Sequence, residues 1–393
     1  MGVSGPGHVG RALRAITLPC VLLVVAGFAP PTGLVAQTRV DIDVPVVRPA
    51  DRPSLSLGEK GGAADEIHRV AGAVRLDDGR LAVLDVGSHQ LRIYAPDGTF
   101  ERAHGGEGEG PGEYTRPARL FRTPGDSLIV WDAGAVRASV VSPDDGFART
   151  VALEPRPEAP TLQGVSASGR LVVSAMHFSL ENQGTLTRMP ESRFLHGPDG
   201  SRMDSLGLAP GRAGLIRASP GRVEVLGPLV AVTTTYGVGA EVLWVETGEQ
   251  HGVDVQSLAT GEARSFTWDG PPLEMTDAFV RALKEEALRG VDDPEIRRQL
   301  ERSNEIRPVP DRIPATRSGV ADRAGNGWVE LAAVPGADGP AVWIVLTPEG
   351  RVVRRVELPR RMTLADVAAD RILVVERDDF DLEYVRLYEL VPG

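Results

Sequence analysis

Cysteine is almost missing from this chain of 393 residues: Cys20 is the only one. It follows Pro19 inside an apolar run, a setting that argues against a lipid-modified cysteine and leaves the rest of the chain without a thiol to form a staple. After that first run no stretch reaches 18 consecutive apolar residues, which excludes a membrane-spanning helix from the remainder. A basic excess is lacking too. Lys and Arg number 43 against 54 Asp and Glu, a formal charge of −11, and nucleic-acid partners are disfavoured because they need a basic face to neutralise phosphate.

Catalytic signatures are equally scarce. The stretch Gly105 to Tyr114 is rich in glycine, but the Gly-x-Gly-x-x-Gly spacing fails at Pro111 or Glu113, no Gly-Lys-Ser/Thr follows, and the interleaved glutamates repel phosphate. Gly164 to Ser168 falls short of a nucleophile elbow because the closing glycine is displaced to Gly169. His68, His89, His104, His177, His196 and His251 show no His-x-x-x-His spacing of a zinc site.

What is present begins with an export signal. Arg11 and Arg14 supply a positive start, and Ala15 to Phe28 is nearly all apolar. That run is too short to cross a hydrocarbon core of about 30 Å, and Pro30 and Pro31 stop it. Cleavage is expected after Ala36, although Leu34 is larger than the residue preferred at that place. The exported chain would then start at Gln37, carry a formal charge of −13, and have about 357 residues, enough to bury a core unaided. It is expected in the periplasm or outside the cell.

The strongest signal is a repeat. Leu57 to Ala103 recurs without a gap as His104 to Thr150, an offset of 47 that pairs Gly58 with Gly105, Arg75 with Arg122, Asp85 with Asp132 and Gly87 with Gly134. Within it, Asp77-Asp78-Gly79 and Pro96-Asp97-Gly98 are turns, and Leu81, Val83, Leu91 and Ile93 show the period-two spacing of half-buried strands. The length fits one four-stranded blade. Similar punctuation recurs at Ser168-Gly169, Pro198-Asp199-Gly200, Thr260-Gly261, Gly325-Asn326-Gly327 and Pro348-Glu349-Gly350. Strands are expected over Leu229–Thr235, Val253–Leu258 and Ala341–Leu346 among others.

These units number six and predict an all-β fold. The last stops after its third strand, and the offset makes Ser54 to Leu57 the counterpart of an outer strand, so the N-terminal strand should complete the C-terminal blade and remove an open edge. Residues 37–52 are expected as a linker and 53–393 as the propeller. Between the fourth and fifth units, within 274–306, a helical hairpin is expected: Thr276 caps a helix with Phe279, Leu283 and Ala287 on one face, Gly290 ends it, and Asp293-Pro294 starts a second.

On these residues the chain resembles the six-bladed β-propellers of the NHL-like group, exported bacterial members especially. The resemblance is carried by Gly105-Gly106-Glu107-Gly108-Glu109-Gly110-Pro111-Gly112-Glu113-Tyr114 with Arg116-Pro117, by Gly79-Arg80-Leu81-Ala82-Val83-Leu84-Asp85, by His89-Gln90-Leu91-Arg92-Ile93-Tyr94 and by Pro96-Asp97-Gly98-Thr99-Phe100. It is sharp over 54–150, looser over 318–390 and weak between. It implies a fold and a binding scaffold; the group holds binding modules and a few enzymes, so no reaction is implied.

In such a ring the loops between second and third strands and the crossings between blades share one face. His68, Arg69, His89, Tyr114, Arg116 and Arg137 are the candidate binding residues there. Asp85 and Asp132 are expected to hold backbone N–H groups in their loops, and Trp244, Trp268, Trp328 and Trp343 to pack the core. Asp378, Asp379, Asp381 and Glu383 form the densest acidic cluster, and such oxygen donors could hold Ca²⁺, though without the helix-loop-helix spacing. No cofactor is otherwise expected. The leading expectation is a non-enzymatic exported scaffold that binds a protein, peptide or glycan; the alternative is a metal-dependent hydrolase or lyase at the central channel.

Overall fold

The computed structural model describes residues 37–59, 66–378 and 380–393. The expected export segment 1–36 and Asp379 lie outside the described residues. Over the sharp repeat, Val70–Arg75, Leu81–Asp85, Gln90–Tyr94 and Phe100–Gly105 form an antiparallel sheet in chain order, and Pro117–Arg122, Leu128–Asp132, Arg137–Ser142 and Gly146–Val151 form the next. The first two strands of the second sheet begin and end 47 residues after those of the first. The offset reaches the backbone: His89 (φ 55°) and Val136 (φ 51°) both take the left-handed conformation at the same place in the loop.

The pattern continues through Pro160–Val165, Leu171–Met176, Leu186–His196 and Arg202–Ser219, with Arg222–Leu226 added as a hairpin, and through Thr235–Gly239, Val242–Glu246, Gly252–Ser257 and Ala263–Thr267. It ends with Thr316–Ala321, Gly327–Leu331, Ala341–Leu346 and Val352–Leu358, then Met362–Val367, Arg371–Arg377 and Glu383–Pro392. One expected strand is displaced. Leu229–Thr235 is not a strand; the strand starts at Thr235, because Leu229 donates its N–H to the Pro308 carbonyl (2.8 Å) and is buried there instead.

Second strands are buried on both faces rather than half-buried. Leu81 and Val83 pack in a cluster with Leu57, Leu373 and Val385, whereas Ala82 and Leu84 pack with Leu128 and Val130 of the next sheet. Each sheet is therefore sandwiched between its neighbours, which is why Leu81–Asp85 is wholly buried. Trp131 with Leu162 and Val173, and Trp244 with Val329 and Ile344, repeat the arrangement further along. Trp244, Trp268, Trp328 and Trp343 are all buried.

The N-terminal segment closes edges. Leu55–Leu57 pairs antiparallel with Glu383–Pro392, placing Leu57 opposite Val385. Residues 37–52, expected as a linker, contain two strands: Gln37–Arg39 adds in parallel to Ala263–Thr267, and Val46–Pro49 lies between Val352–Leu358 and Glu383–Pro392. Strands left unpaired at an edge present rows of free N–H and C=O groups, and this segment covers those of Ala263–Thr267, Val352–Leu358 and Glu383–Pro392.

Two helices lie between Ala263–Thr267 and Thr316–Ala321. Thr276 Oγ1 accepts from Phe279 N (3.2 Å) at the start of α1 (Asp277–Glu286). Asp293 Oδ1 accepts from Glu295 N (2.7 Å) and Ile296 N (3.1 Å), and Pro294 opens α2 (Pro294–Ile306). The segment is anchored below α1 by a small cluster of Leu273, Ile313 and Ala315, with Met275 and Phe279 against it.

Candidate functional site: a cavity among the first strands

Antiparallel pairing in chain order puts each loop between second and third strands on the same side as the crossing into the next sheet. Asp85 and Asp132 lock these pieces together. Asp85 accepts from His68 N (3.1 Å), Gly87 N (3.0 Å) and the Ser88 hydroxyl (2.8 Å). Asp132 accepts from Thr115 N and Arg116 N (both 2.9 Å), Gly134 N (3.0 Å) and Ala135 N (3.2 Å). Glycine is needed beside each: a Cβ on Gly87 would lie 2.3 Å from His68 Cβ, and one on Gly134 would lie 2.2 Å from Thr115 Oγ1. Burial pushes the Asp132 carboxyl up, but the converging N–H groups of Thr115, Arg116 and Ala135 outweigh it and hold it below the usual range.

The six candidate binding residues separate. Tyr114 is a correction: it is 1% exposed and packs among Leu91, Val130 and Val141. The glycine-rich crossing folds back on itself through Tyr114 N to Gly106 O (2.8 Å), driving the ring inward, where burial raises its hydroxyl to about 12. Arg137 is a brace, donating to the carbonyls of Glu109 (2.9 Å), Gly110 (3.0 Å) and Glu113. Arg116 reaches the Ala133 carbonyl (3.2 Å). His68 is exposed beside Glu66, and His89 is half-buried in a loop whose backbone Val136 duplicates. Arg69 is exposed, at a φ of 59°.

The described members of the acidic cluster, Asp378, Asp381 and Glu383, turn to different partners. Asp378 accepts from Phe380 N (2.9 Å), Leu382 N (3.0 Å) and the Tyr384 hydroxyl (2.9 Å), which shapes its own loop. Glu383 turns to Arg377 and to the N–H of Val70, and Asp381 faces Arg377 at 3.6 Å. Among the described residues no three His, Cys, Asp or Glu side chains come together as metal ligands.

None of the six candidate binding residues lines the cavity that the topology builds. A cavity of about 440 Å³ is lined by the first strand of each sheet in turn, through Val74, Leu120, Gly164, Val238, Val320 and Ala365. Several of these strands carry a bulge there, with register shifts between Val70 and Gly72, Pro117 and Arg119, Leu162 and Gly164, Thr316 and Ser318, and Leu364 and Asp366. Bulges re-aim side chains next to sites. Gly164 permits the close approach of first strands, since a Cβ there would lie 2.5 Å from Val238 Cβ.

The two ends of the cavity differ. Towards the first turns, Asp77 joins three sheets: its carboxylate takes Arg122 Nη1 and Arg323 Nη1, both at 2.6 Å, and Arg122 also meets Asp126 at 2.8 Å. Asp366 lines this end, accepting from Arg75 N (2.9 Å), and its burial raises the carboxyl above the usual range. Towards the crossings, the lining includes Arg119, Gln163 and Tyr236. Tyr236 donates to Glu191 Oε2 (2.8 Å), and Gln163 Nε2 donates to Ser174 Oγ (2.7 Å). Beside them Glu246 is buried behind Gly319, its Oε2 taking the Thr235 hydroxyl (3.1 Å) and its Oε1 without a partner among the described residues. Burial raises that carboxyl well above its usual value.

No protein-family model matches the chain, and no curated protein matches it. Solved structures do. The chain is similar to a member of the DUF4221 family from Bacteroides vulgatus at 9% identity and a TM-score of 0.49, over 90% of this chain and 98% of that one. It is similar to a candidate exported protein of Bacteroides fragilis at 10% identity and a TM-score of 0.47, over 89% and 99%. A calcium-binding protein, regucalcin, from Agrobacterium tumefaciens aligns at 11% identity and a TM-score of 0.39, over 89% and 97%.

Proposed function

We propose that the chain is an exported six-bladed β-propeller of NHL-like type, a non-enzymatic scaffold whose crossing-bearing face binds a protein, peptide or glycan. The ring reading is supported by a cavity lined in turn by the strands of Val74, Leu120, Gly164, Val238, Val320 and Ala365 and by the pairing of Leu55–Leu57 with Glu383–Pro392. α1 and α2 are then an insertion between the fourth and fifth blades.

The observation that carries the binding reading is apolar exposure in loops of that face. Phe178 and Leu180 (each 46% exposed) stand in the loop after Leu171–Met176, and Phe380 (85%) and Leu382 (56%) in the loop after Arg371–Arg377. Both loops join second to third strands, so they rise on the same side as the crossings. Large apolar side chains held out in water favour a polypeptide partner over a purely polar one.

The test is a pull-down from an envelope extract with Phe380→Ser combined with Leu382→Ser. Met203→Ser serves as control, because Met203 is 57% exposed at the opposite end, just past the Pro198–Gly200 turn. Loss of a recovered partner in the double variant and retention in the control is the expected result. Equal recovery from both refutes the face.

A further inference from the structure

We propose that the cavity among the first strands is a binding site for a small organic monocarboxylate, received by Arg119. Arg119 lines the cavity from the strand Pro117–Arg122, immediately after the bulge at Ala118. It makes no hydrogen bond or ion pair with any described residue; Glu191, the acid whose charge acts on it, is engaged by Tyr236. The other cations at the cavity are already used. Arg122 is held by Asp77 and Asp126, and Arg323 by Asp77 and the Arg75 carbonyl. Arg188, behind Tyr236, is spent on the carbonyls of Gly211, Pro210 and Thr247.

A guanidinium carries five N–H donors in a planar fork, and withdrawing it from bulk water without an acceptor is costly. Arg119 is only partly exposed and faces a cavity of about 440 Å³, within the range of roughly 300–1,000 Å³ usual for small-molecule sites. An anion in the cavity would supply the missing acceptor. The lining decides which anion: Asp322 and Asp366 share the same cavity, so a compact dianion such as sulfate or phosphate meets carboxylates on its far side. A single carboxylate matches the fork in two parallel bonds and presents its neutral body to the remaining wall. That wall is of the right kind, with Val74, Leu120, Val238 and Ala365 beside the polar groups of Gln163 and Tyr236. Burial lowers the readiness of Arg119 to hold its proton and Glu191 partly restores it; a bound carboxylate would restore it further.

This site is distinct from the docking face and can be tested without any partner. Ligand-observed NMR on the full chain in carboxylate-free buffer would compare butyrate with butyramide, which share a shape and differ in charge, and would use sulfate as competitor. Butyrate should bind, butyramide should not bind at matched concentration, and sulfate should fail to displace butyrate. Arg119→Gln should weaken butyrate binding about tenfold or more, the usual loss for one charge-assisted bond. Arg119→Lys, which keeps the charge without the fork, should fall between. Because Arg119 has no partner to lose, both variants should unfold no earlier than the parent, which keeps a binding loss interpretable. Equal binding of butyrate and butyramide, displacement by sulfate, undiminished binding in Arg119→Gln, or no butyrate binding at all would each overturn the proposal.

Discussion

Arg386 Nη2 lies 2.7 Å from Glu59 Oε1 across 327 residues of chain. Its Nε meets Ser56 Oγ at 3.1 Å and its Nη1 meets Glu376 at 2.8 Å, so one guanidinium rivets the N-terminal strand to the last sheet. The strand also inserts Leu57, 1% exposed, among Leu81, Val83, Tyr94, Leu373 and Val385. Leu57→Ala is therefore expected to cost about 2–5 kcal/mol, as for other buried leucines. Removing the chain through Leu57 should cost more, because it also bares the edge of Glu383–Pro392. Chemical denaturation measures both, and an unchanged midpoint in the truncated chain would remove the closure.

Asp132 gathers backbone N–H groups from both sides of its loop. Asp132→Asn keeps the shape and loses the charge, and is expected to destabilise by about 1.5–3 kcal/mol at neutral pH. The folded-state pKa is lowered, so this contribution is complete above the unfolded value of about 3.9 and disappears as pH falls through the folded one. The gap in unfolding free energy between parent and Asp132→Asn should consequently narrow in acid. A gap that stays constant down to the acid limb would mean the carboxylate charge is not what the loop uses.

Repetition made these features legible in the sequence. Asp85 and Asp132, Gly87 and Gly134, and the turn boundaries stand 47 apart because each is imposed by local backbone geometry, which recurs with the unit. Tyr114 escaped because its inward path depends on the crossing folding back over 106–114, and nothing in the spacing Glu113-Tyr114-Thr115 marks a buried ring. The strands at Gln37–Arg39 and Val46–Pro49 escaped because their partners lie more than 200 residues away. Arg119 escaped for a related reason. In Arg116-Pro117-Ala118-Arg119 it reads as one more polar residue of a strand, and its isolation arises only when neighbouring sheets claim the surrounding acids.

Arg137 ties the carbonyls of Glu109, Gly110 and Glu113 together, adding to the bonds within the crossing from Tyr114 N to Gly106 O, Gly108 N to Tyr114 O and Gly110 N to Glu113 Oε2. Arg137→Ala should leave the sheets intact while loosening this segment. Backbone amide exchange over 106–113 is expected to quicken about tenfold or more, with strands such as Leu128–Asp132 unaffected. Uniform acceleration across the chain would show instead that Arg137 supports global stability.

Glu246 offers a pH dependence of the opposite sign. Its carboxyl is buried, with one oxygen on Thr235 and the other unpartnered, and it stays protonated well above the ordinary value of 4.5; the negative charge of Glu330 pushes the same way. The unfolded chain ionises this group first, so its contribution is intact below about pH 4.3 and erodes as pH rises towards the folded pKa, by at most about 1.4 kcal/mol per pH unit. Glu246→Gln cannot ionise and keeps an oxygen for the Thr235 hydroxyl. Its stability relative to the parent should therefore improve steadily from pH 5 upward and level off once the folded group titrates. Denaturation curves at several pH values would read this directly. A variant whose difference from the parent is flat across that range would show that Glu246 is ionised in the folded protein, paired with a cation or ion that the cavity wall recruits.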